Sequence, residues 1–248
     1  VRDFCNNELK PTVVERNRKN EFDQSLYPKF GSLGVLGQTV KTHGGSGTSN
    51  LAYGLVAYEF EKIDSSYRSS ISVQSSLVIH PINEFGSQKQ KDKYLPPLIK
   101  GEKIGCFGLT ESEAGSDPAS MKTSFKKTKD GYILNGSKNW ITNAPIADIF
   151  IIWAIEENKD HKSIKGFIIE KNTEGLNTST IENKTSLKIS PTGQIILNNV
   201  FIPNNLCLEN TEGWKSVFSC LNKARFGISW GVLGSASECW LIAKDYVE

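Results

Sequence analysis

The spacing of apolar residues changes twice along this chain of 248 residues. Over residues 1–103 the apolar positions recur every three or four residues, as they do on one face of a helix. From Ile104 they fall in short runs typical of strands, and from Gly213 the helical spacing returns. This order predicts an α+β multidomain protein. We expect an N-terminal helical domain (1–103), a middle β domain folded as a barrel or sandwich (104–204), and the start of a C-terminal helical domain (205–248).

Polar caps and prolines set the expected helix boundaries in the first part. A helix is expected to open at Asn50, and Asp64 is a suitable N-cap for a second helix that carries Pro81 near its end. Ser87 is expected to cap a further helix. The pair Pro96-Pro97 is expected to break the helical pattern that follows, because proline lacks the N–H that a helix interior needs.

The middle part contains seven strand-like runs, separated by turn residues. They are 104–109, 123–128, 132–135, 149–155, 167–170, 187–190 and 194–202. The pairs Asp130-Gly131 and Asn135-Gly136 are two-residue hairpin signals. After Gly213 the pattern predicts helix to the last residue. Because no capping residue ends that helix, we expect the chain to be a fragment of a longer protein.

Charge and cysteine usage exclude several functional classes. The 29 basic and 27 acidic residues leave a net charge of +2, too little to favour nucleic acid or an anionic membrane as partner. No run of eighteen apolar residues predicts a membrane span. Five cysteines without a Cys-x-x-Cys pair favour free thiols in a reducing compartment. His43, His80 and His161 are far apart, so no metal site is expected.

The segment from Phe107 to Asp117, followed by Trp140-Ile141-Thr142, carries the groups that suit a planar cofactor with a diphosphate. Thr110 can donate and accept hydrogen bonds, and Gly115 lets backbone approach a ligand closely. Ser116 and nearby N–H groups can hold a phosphate or carbonyl oxygen, while Trp140 offers a flat face. From these residues alone, an ordinary turn and a core tryptophan are the alternative interpretation.

In this order and spacing the two stretches resemble the flavin-binding signature of the acyl-CoA dehydrogenase family. The resemblance implies that FAD lies between the middle domain and a C-terminal four-helix bundle. It also implies hydrogen bonds from Thr110 and Thr142 to the isoalloxazine ring, with Trp140 packed near it. The implied FAD contacts are Phe107, Gly108, Leu109, Thr110, Glu111, Gly115, Ser116, Trp140, Ile141 and Thr142.

The resemblance covers nearly the whole chain and is greatest to the glutaryl-CoA dehydrogenases of the family. It is carried by residues 64–78, 105–111 and 220–234. It implies that Arg68 and Ser69 contact the distal carboxylate of the substrate, with Glu61 close by. It also implies that the acyl-CoA channel is lined on the helical side by Phe218, Leu221, Asn222 and Arg225, and that Ser116 touches the CoA side as well as the flavin.

From the residues alone, both arginines have plainer interpretations. An arginine on the apolar helix face around Arg68 needs an anion, and Glu61 or Asp64 would supply one through an ordinary salt bridge. For Arg225 the alternative is a surface or interdomain ion pair.

The activity implied by the resemblance is FAD-dependent oxidative decarboxylation of glutaryl-CoA to crotonyl-CoA and CO₂. It implies a homotetramer that passes electrons to an electron-transfer flavoprotein, in the mitochondrial matrix or in a bacterial cytoplasm. The catalytic glutamate of the family lies beyond residue 248, so no catalytic base is assigned here. The alternatives are a dehydrogenase that does not decarboxylate, an acyl-CoA oxidase, and a truncated form that only folds or assembles with partners.

Overall fold

The computed structural model describes residues 1–159 and 163–248, so His161, one of the three histidines of the chain, lies outside the described residues. The first hundred residues are helical. Their helices are α1 (Arg2–Phe4, continued by a π-helical turn over Cys5–Leu9), α2 (Val13–Lys19), α3 (Leu26–Ser32), α4 (Asn50–Glu61), α5 (Ser65–Ser72, continued by a π-helical stretch over Val73–Ile79), α6 (His80–Phe85) and α7 (Gln88–Ile99).

The predicted helix starts are confirmed by the caps. The Asp64 carboxylate accepts the backbone N–H of Ser66 at the start of α5. At α7, Ser87 and Gln90 form a reciprocal capping box, in which each side chain accepts the backbone N–H of the other residue. The amide group of Gln90 also donates to the carbonyls of Asn205 and Cys207, both at 2.8 Å, so this cap ties the helical part to the middle part.

The expected helix break at Pro96-Pro97 is wrong. Both prolines lie inside α7, which continues to Ile99. The cost is small because the two hydrogen bonds that they cannot donate would have gone to the carbonyls of Asp92 and Lys93, on residues that are solvent-exposed.

Seven strands form one curled sheet in the middle of the chain. They are β1 (Gly105–Gly108), β2 (Ser124–Lys127), β3 (Gly131–Thr142), β4 (Ile149–Glu156), β5 (Ile164–Glu170), β6 (Leu176–Thr180) and β7 (Thr192–Pro203). The order is β1-β4-β2-β3-β7-β6, with β5 paired to β4. The hairpin predicted at Asp130-Gly131 is confirmed by the antiparallel pairing of β2 with β3.

Strand β4 shows how the sheet is buried on both faces. Ile149, Ile151 and Trp153 pack into the core shared with the N-terminal helices. Phe150 and Ile152 point the other way, into a second core enclosed by the sheet. Alternation of side chains along a strand produces this division. The N-terminal helices and the curled sheet are therefore packed on each other through a continuous apolar interface.

Two sequence predictions in the sheet are wrong. Asn135-Gly136 forms no hairpin, because β3 runs through it. Gly136, at φ 143°, lies opposite a bulge in β7, where the register between the two strands shifts by one residue. Residues 187–190, predicted as a strand, form a turn in which Leu187 has φ 50°. Strand β6 was not predicted, because its sequence Leu-Asn-Thr-Ser-Thr is polar and most of its residues are exposed.

The last element, α8 (Trp214–Val247), is one helix of 34 residues, as predicted. It packs on α4 through glycines on one stripe. A Cβ on Gly227 would lie 2.6 Å from the Tyr53 hydroxyl, and one on Gly234 would lie 2.1 Å from the Tyr58 carbonyl. Within the described residues, no helix is long and apolar enough to cross a membrane.

Candidate functional site

The two halves of the flavin-like signature meet at a bulge in β3. Between Lys138 and Ile141 the register with β7 shifts by one residue. Asn139 lies in this bulge, and its backbone N–H donates to the carbonyl of Thr110 at 2.9 Å. This bond places Thr110, just after β1, beside the bulge that bears Trp140.

Trp140 is unusual in both exposure and backbone. Its side chain is 59 % exposed, and its φ of 59° is a left-handed value that bulky residues rarely adopt. The structure therefore excludes the core-tryptophan alternative. Strained backbone of this kind persists only where the surrounding structure holds it, and it is concentrated at functional sites.

The loop after Thr110 is tightly turned and then open. Glu111 and Ala114 exchange two backbone hydrogen bonds of 3.2 Å. A Cβ on Gly115 would meet no atom within 4 Å. Within the described parts of the chain, the hydroxyls of Thr110, Thr142 and Ser116 make no hydrogen bond. An exposed aromatic face, three unpaired hydroxyls and an open glycine loop fit a large planar ligand with polar edges.

The remaining residues of the expected FAD set lie deeper. Phe107, Leu109 and Ile141 are buried in the two cores, so their side chains face away from the open loop. Gly108 is also buried, because a Cβ there would lie 2.5 Å from Ile152. These residues support the surface on which Thr110 and Trp140 stand, and any ligand contact they make is through backbone.

The side chain of Glu111 is turned into the protein and bonded to Lys138. The ammonium group of Lys138, which is 0 % exposed, lies 2.9 Å from the Glu111 carboxylate. Burial lowers the pKa of Lys138, and the Glu111 carboxylate opposes that shift. Burial alone would raise the pKa of Glu111, but Lys138 and the N–H groups of Lys122 and Thr123 outweigh it, so that pKa is lowered. The pair is therefore held in its charged form.

A buried amide network joins this loop to the helices. The Gln74 side chain accepts the backbone N–H of Gly105 at 2.8 Å and donates to the Leu98 and Lys103 carbonyls. Asn143, which follows Thr142, donates from its side chain to the Gly105 carbonyl at 3.1 Å. The strand that leads to Thr110 is thus fixed at its start, both to the helix that carries Arg68 and to the end of β3.

Arg68 forms a buried ion pair with Glu61, the last residue of α4. Its Nε donates to Glu61 Oε2, and a terminal nitrogen lies 3.4 Å from Oε1. The two side chains are only 11 % and 4 % exposed. The Ser65 hydroxyl donates to the same carboxylate at 2.7 Å. Of the two partners that the sequence offered, Glu61 is the one used, since Asp64 caps α5.

The pair lies in a crevice between α4, α5 and α8. A small cavity of about 10 Å³ borders Arg68, with Tyr53, Ile71 and Ser72 among its other walls. Across the crevice, a Cβ on Gly231 would lie 2.2 Å from Glu61 Oε2 and 3.2 Å from Arg68 Nε. Ser69 follows Arg68 and is half-buried.

The expected channel residues of α8 lie on its outer side. Phe218, Asn222 and Arg225 are exposed and Leu221 is half-buried. Arg225 donates to the Asn222 side chain at 3.0 Å. No carboxylate of the described residues lies within 4.0 Å of Arg225, so the ion-pair alternative does not hold among them. The structure brings Thr110 to Trp140 and Arg68 to Glu61, and it leaves these α8 residues apart from both pairs.

Sequence reasoning missed Lys138 and Gln74. For Lys138 a signal was available, since alternation along β3 puts it on the inward face with Tyr132 and Leu134, and a lysine is seldom fully buried without a partner. Nothing in the local pattern marks Gln74, because its role arises from contacts between distant segments. No cluster of metal-binding side chains occurs among the residues that the structure describes.

Comparison with known proteins gives one consistent family. Residues 1–102 match the acyl-CoA dehydrogenase N-terminal domain, and residues 106–200 match the acyl-CoA dehydrogenase middle domain. A short-chain specific acyl-CoA dehydrogenase from Clostridium acetobutylicum is 35 % identical over 251 residues, covering 100 % of this chain and 66 % of that protein.

Solved structures agree with this result. A glutaryl-CoA dehydrogenase from Mycobacterium smegmatis in complex with FADH2 matches with a TM-score of 0.93 and 41 % identity, over 96 % of this chain and 60 % of the other. The butyryl-CoA dehydrogenase of Megasphaera elsdenii matches with a TM-score of 0.92 and 35 % identity, over 99 % and 66 %. The chain thus spans between three fifths and two thirds of these relatives. With its N-terminal helical domain and its curled middle sheet, the chain belongs to the acyl-CoA dehydrogenase family.

Proposed function

We propose that the protein is an FAD-dependent acyl-CoA dehydrogenase whose flavin lies against Trp140 and the loop from Thr110 to Ser116. The unpaired hydroxyls of Thr110 and Thr142 would orient the edge of the isoalloxazine ring. Ser116 and the open backbone at Gly115 would receive the diphosphate or the CoA side of the substrate. The strained and exposed Trp140 supports this assignment, because a ligand that stacks on it covers apolar surface otherwise left in water.

Bound FAD would supply the acceptor for a hydride from the β-carbon of an acyl-CoA thioester. The residues that the structure describes would contribute binding and orientation. No glutamate among Glu59, Glu61, Glu111, Glu113 and Glu238 is assigned as the catalytic base. Their carboxylates pair with Arg2, Arg68, Lys138, Lys122 and Lys10, respectively.

Glutaryl-CoA is the proposed substrate, and Arg68 is the observation that carries this proposal. A guanidinium group recognises a carboxylate through two parallel hydrogen bonds, which fixes the direction of the acyl chain. Arg68 is the cation of an otherwise largely apolar crevice on the inner side of α5. With the distal carboxylate bound there and Ser69 beside it, loss of CO₂ from the γ-carbon would follow oxidation, and addition of a proton to the resulting carbanion would yield crotonyl-CoA.

A dehydrogenase for short monocarboxylic acyl-CoA substrates is the second candidate, and one observation favours it. Glu61 already neutralises Arg68, and the cavity beside the pair, of about 10 Å³, has room for at most one water molecule. A substrate carboxylate must therefore displace Glu61 from the guanidinium, whereas a shorter acyl chain without a carboxylate would leave the pair intact.

The product of glutaryl-CoA turnover separates the candidates. The full-length protein is incubated with glutaryl-CoA or butyryl-CoA and an artificial electron acceptor, and the thioester product is identified by mass. Crotonyl-CoA with CO₂ supports the decarboxylating enzyme, and glutaconyl-CoA alone removes the decarboxylation step. Turnover of butyryl-CoA without turnover of glutaryl-CoA refutes the role given to Arg68.

Variants at Arg68 test its role in substrate recognition directly. Arg68→Met combined with Glu61→Gln removes both charges, so neither is left buried without a partner. We expect it to lose glutaryl-CoA activity at least tenfold while it keeps activity on butyryl-CoA. Arg16→Met is the matched control, because Arg16 pairs with Asp23 at 2.9 Å in a half-buried setting. Equal loss on both substrates would mean that the pair serves only the fold.

The further proposals concern the assembled enzyme. We place it in a homotetramer that delivers electrons to an electron-transfer flavoprotein, in the mitochondrial matrix or a bacterial cytoplasm. The five free cysteines, four of them buried, support a reducing compartment. Reduction of a purified electron-transfer flavoprotein by the full-length enzyme and substrate tests the partner, and failure with active enzyme would favour an oxidase.

A further inference from the structure

We propose that Lys138 is a positioning residue that holds the flavin-contacting residues Thr110 and Trp140 in place from the inside of the sheet. The inference rests on the flavin site proposed above. Lys138 itself is fully buried and touches no open surface, so it acts through the segments to which it is bonded. Its role is to fix the backbone on which the contacting groups stand.

The ammonium group of Lys138 donates hydrogen bonds to the residues just before and just after Thr110. It donates to the Leu109 carbonyl at 3.0 Å and to Glu111 Oε1 at 2.9 Å. The next residue along β3, Asn139, donates its backbone N–H to the carbonyl of Thr110 itself. The backbone of Thr110 is therefore held at three successive residues, while its hydroxyl remains unpaired within the described part of the chain.

Glu111 also binds a third segment, the residues just before β2. Its two carboxylate oxygens accept the backbone N–H groups of Thr123 at 2.9 Å and Lys122 at 2.6 Å. One carboxylate thus joins the end of β1, the approach to β2 and the inner face of β3. The Met121 sulfur, 3.8 Å from Lys138 Nζ, completes the surroundings of the cation.

Trp140 is fixed from the neighbouring side. The Asn139 side chain accepts the Trp140 backbone N–H at 3.0 Å and donates to the Ser112 hydroxyl at 3.2 Å. The left-handed backbone of Trp140 is therefore bounded by Asn139 on the bulge and by Lys138 just before it. A strained residue needs such support to stay in one conformation.

An ion pair is an expensive way to fill this space. Removing a lysine and a carboxylate from water costs free energy that their attraction barely returns, and apolar residues of similar volume often stabilise a fold as well or better. Apolar side chains, however, could not form hydrogen bonds with the Leu109 carbonyl and the N–H groups of Lys122 and Thr123. The pair therefore provides fixed geometry at the ligand surface.

The test compares Lys138→Met and the charge-free double variant Lys138→Met/Glu111→Gln with Leu134→Ala in the full-length protein. Leu134 is a fully buried residue of the same strand that belongs to the second core, so its truncation weakens β3 without touching the ion pair. The readouts are the FAD dissociation constant from flavin fluorescence, the visible spectrum of bound flavin, and amide hydrogen exchange at Asn139 in FAD-free protein.

Positioning predicts an FAD dissociation constant at least tenfold higher in both Lys138 variants, an altered flavin spectrum, and faster exchange at Asn139, with Leu134→Ala near wild type in all three. Wild-type FAD affinity and spectrum in the Lys138 variants would overturn the inference and leave the proposed function standing. Equal loss in Leu134→Ala, or failure of both Lys138 variants to fold while Leu134→Ala folds, would reduce the pair to a fold determinant. A wild-type protein that binds no FAD would remove the proposed function and this inference together.

Discussion

Gly231 is the position at which a single methyl group tests the crevice around Arg68. In Gly231→Ala the new Cβ would lie 2.2 Å from Glu61 Oε2, well inside van der Waals contact. Glu61 has little freedom to withdraw, because Arg68 and Ser65 both donate to its carboxylate. The helix cannot retreat easily either, since Gly227 and Gly234 also touch α4.

The magnitude follows from two opposing terms. Overpacking a filled site costs roughly 1–3 kcal/mol, and the rigid surroundings place this one near the upper end. Replacing glycine by alanine inside a helix returns about 1 kcal/mol. The free energy of unfolding should therefore fall by roughly 2 kcal/mol, which for a chain of this size lowers the melting temperature by about 4–8 °C. We also expect discrimination between glutaryl-CoA and butyryl-CoA to rise, because the methyl group displaces Glu61 from Arg68 and leaves the guanidinium group to the substrate carboxylate.

Thermal unfolding followed by circular dichroism measures the first effect, and the ratio of kcat/KM for the two thioesters measures the second. Ser229→Ala serves as control, because Ser229 is exposed on the same helix and its hydroxyl only bonds the carbonyl of Arg225. A Gly231→Ala protein that melts at or above the wild-type temperature would refute the close approach. Lower stability with unchanged discrimination would separate Gly231 from substrate selection.

Three further substitutions test single features of the fold. Burial, aided by the Lys223 cation, lowers the pKa of His80 to about 4. As the pH falls, the histidine of the unfolded chain therefore takes up a proton before that of the folded protein. The free energy of unfolding of the wild type should drop by about 2 kcal/mol between pH 7 and pH 5. Urea unfolding of His80→Gln should lack that drop, and an unchanged slope would contradict the assignment. Ser87→Ala removes one half of the capping box and should cost about 1 kcal/mol in the same assay, against no change if solvent replaces the cap. Gly136→Ala places a Cβ 2.5 Å from the Thr123 hydroxyl at φ 143°, so its melting temperature should fall by at least about 4 °C, and a wild-type value would show that the bulge can relax.

Local chemistry explains which parts of the fold were predictable. Asp64 and Ser87 mark helix starts because their side chains satisfy N–H groups within three residues along the chain, a relation that the sequence displays directly. Asn135-Gly136 carries the same kind of local signal for a hairpin, yet β3 continues through it. The reason is non-local: pairing with β7 on both sides of Gly136 outweighs the turn preference of two residues.

The residues of the candidate site also differ in whether local sequence or non-local contacts determine them. Thr110 and Trp140 were predicted as a pair by their order in the sequence, but the bond from Asn139 to Thr110 that joins them depends on the register of a bulge. The burial of Lys138 was not predicted, because lysine side chains are normally exposed to solvent. It depends on the Glu111 carboxylate, which turns inward from a different segment of the chain.

The ion pair at Arg68 changes how substrate selection has to work. If Arg68 were an unpaired buried cation, a monocarboxylic substrate would leave its charge without a partner and would be rejected strongly. With Glu61 in place, that penalty is absent, so selection depends on competition between two carboxylates for one guanidinium. Glu61→Gln weakens the resident competitor while it keeps the shape of the side chain. We therefore expect this variant to bind glutaryl-CoA more tightly than wild type and butyryl-CoA more weakly, as measured by displacement of a chromophoric acyl-CoA analogue. Weaker binding of glutaryl-CoA would mean that Glu61 orients Arg68 for the substrate instead of competing with it.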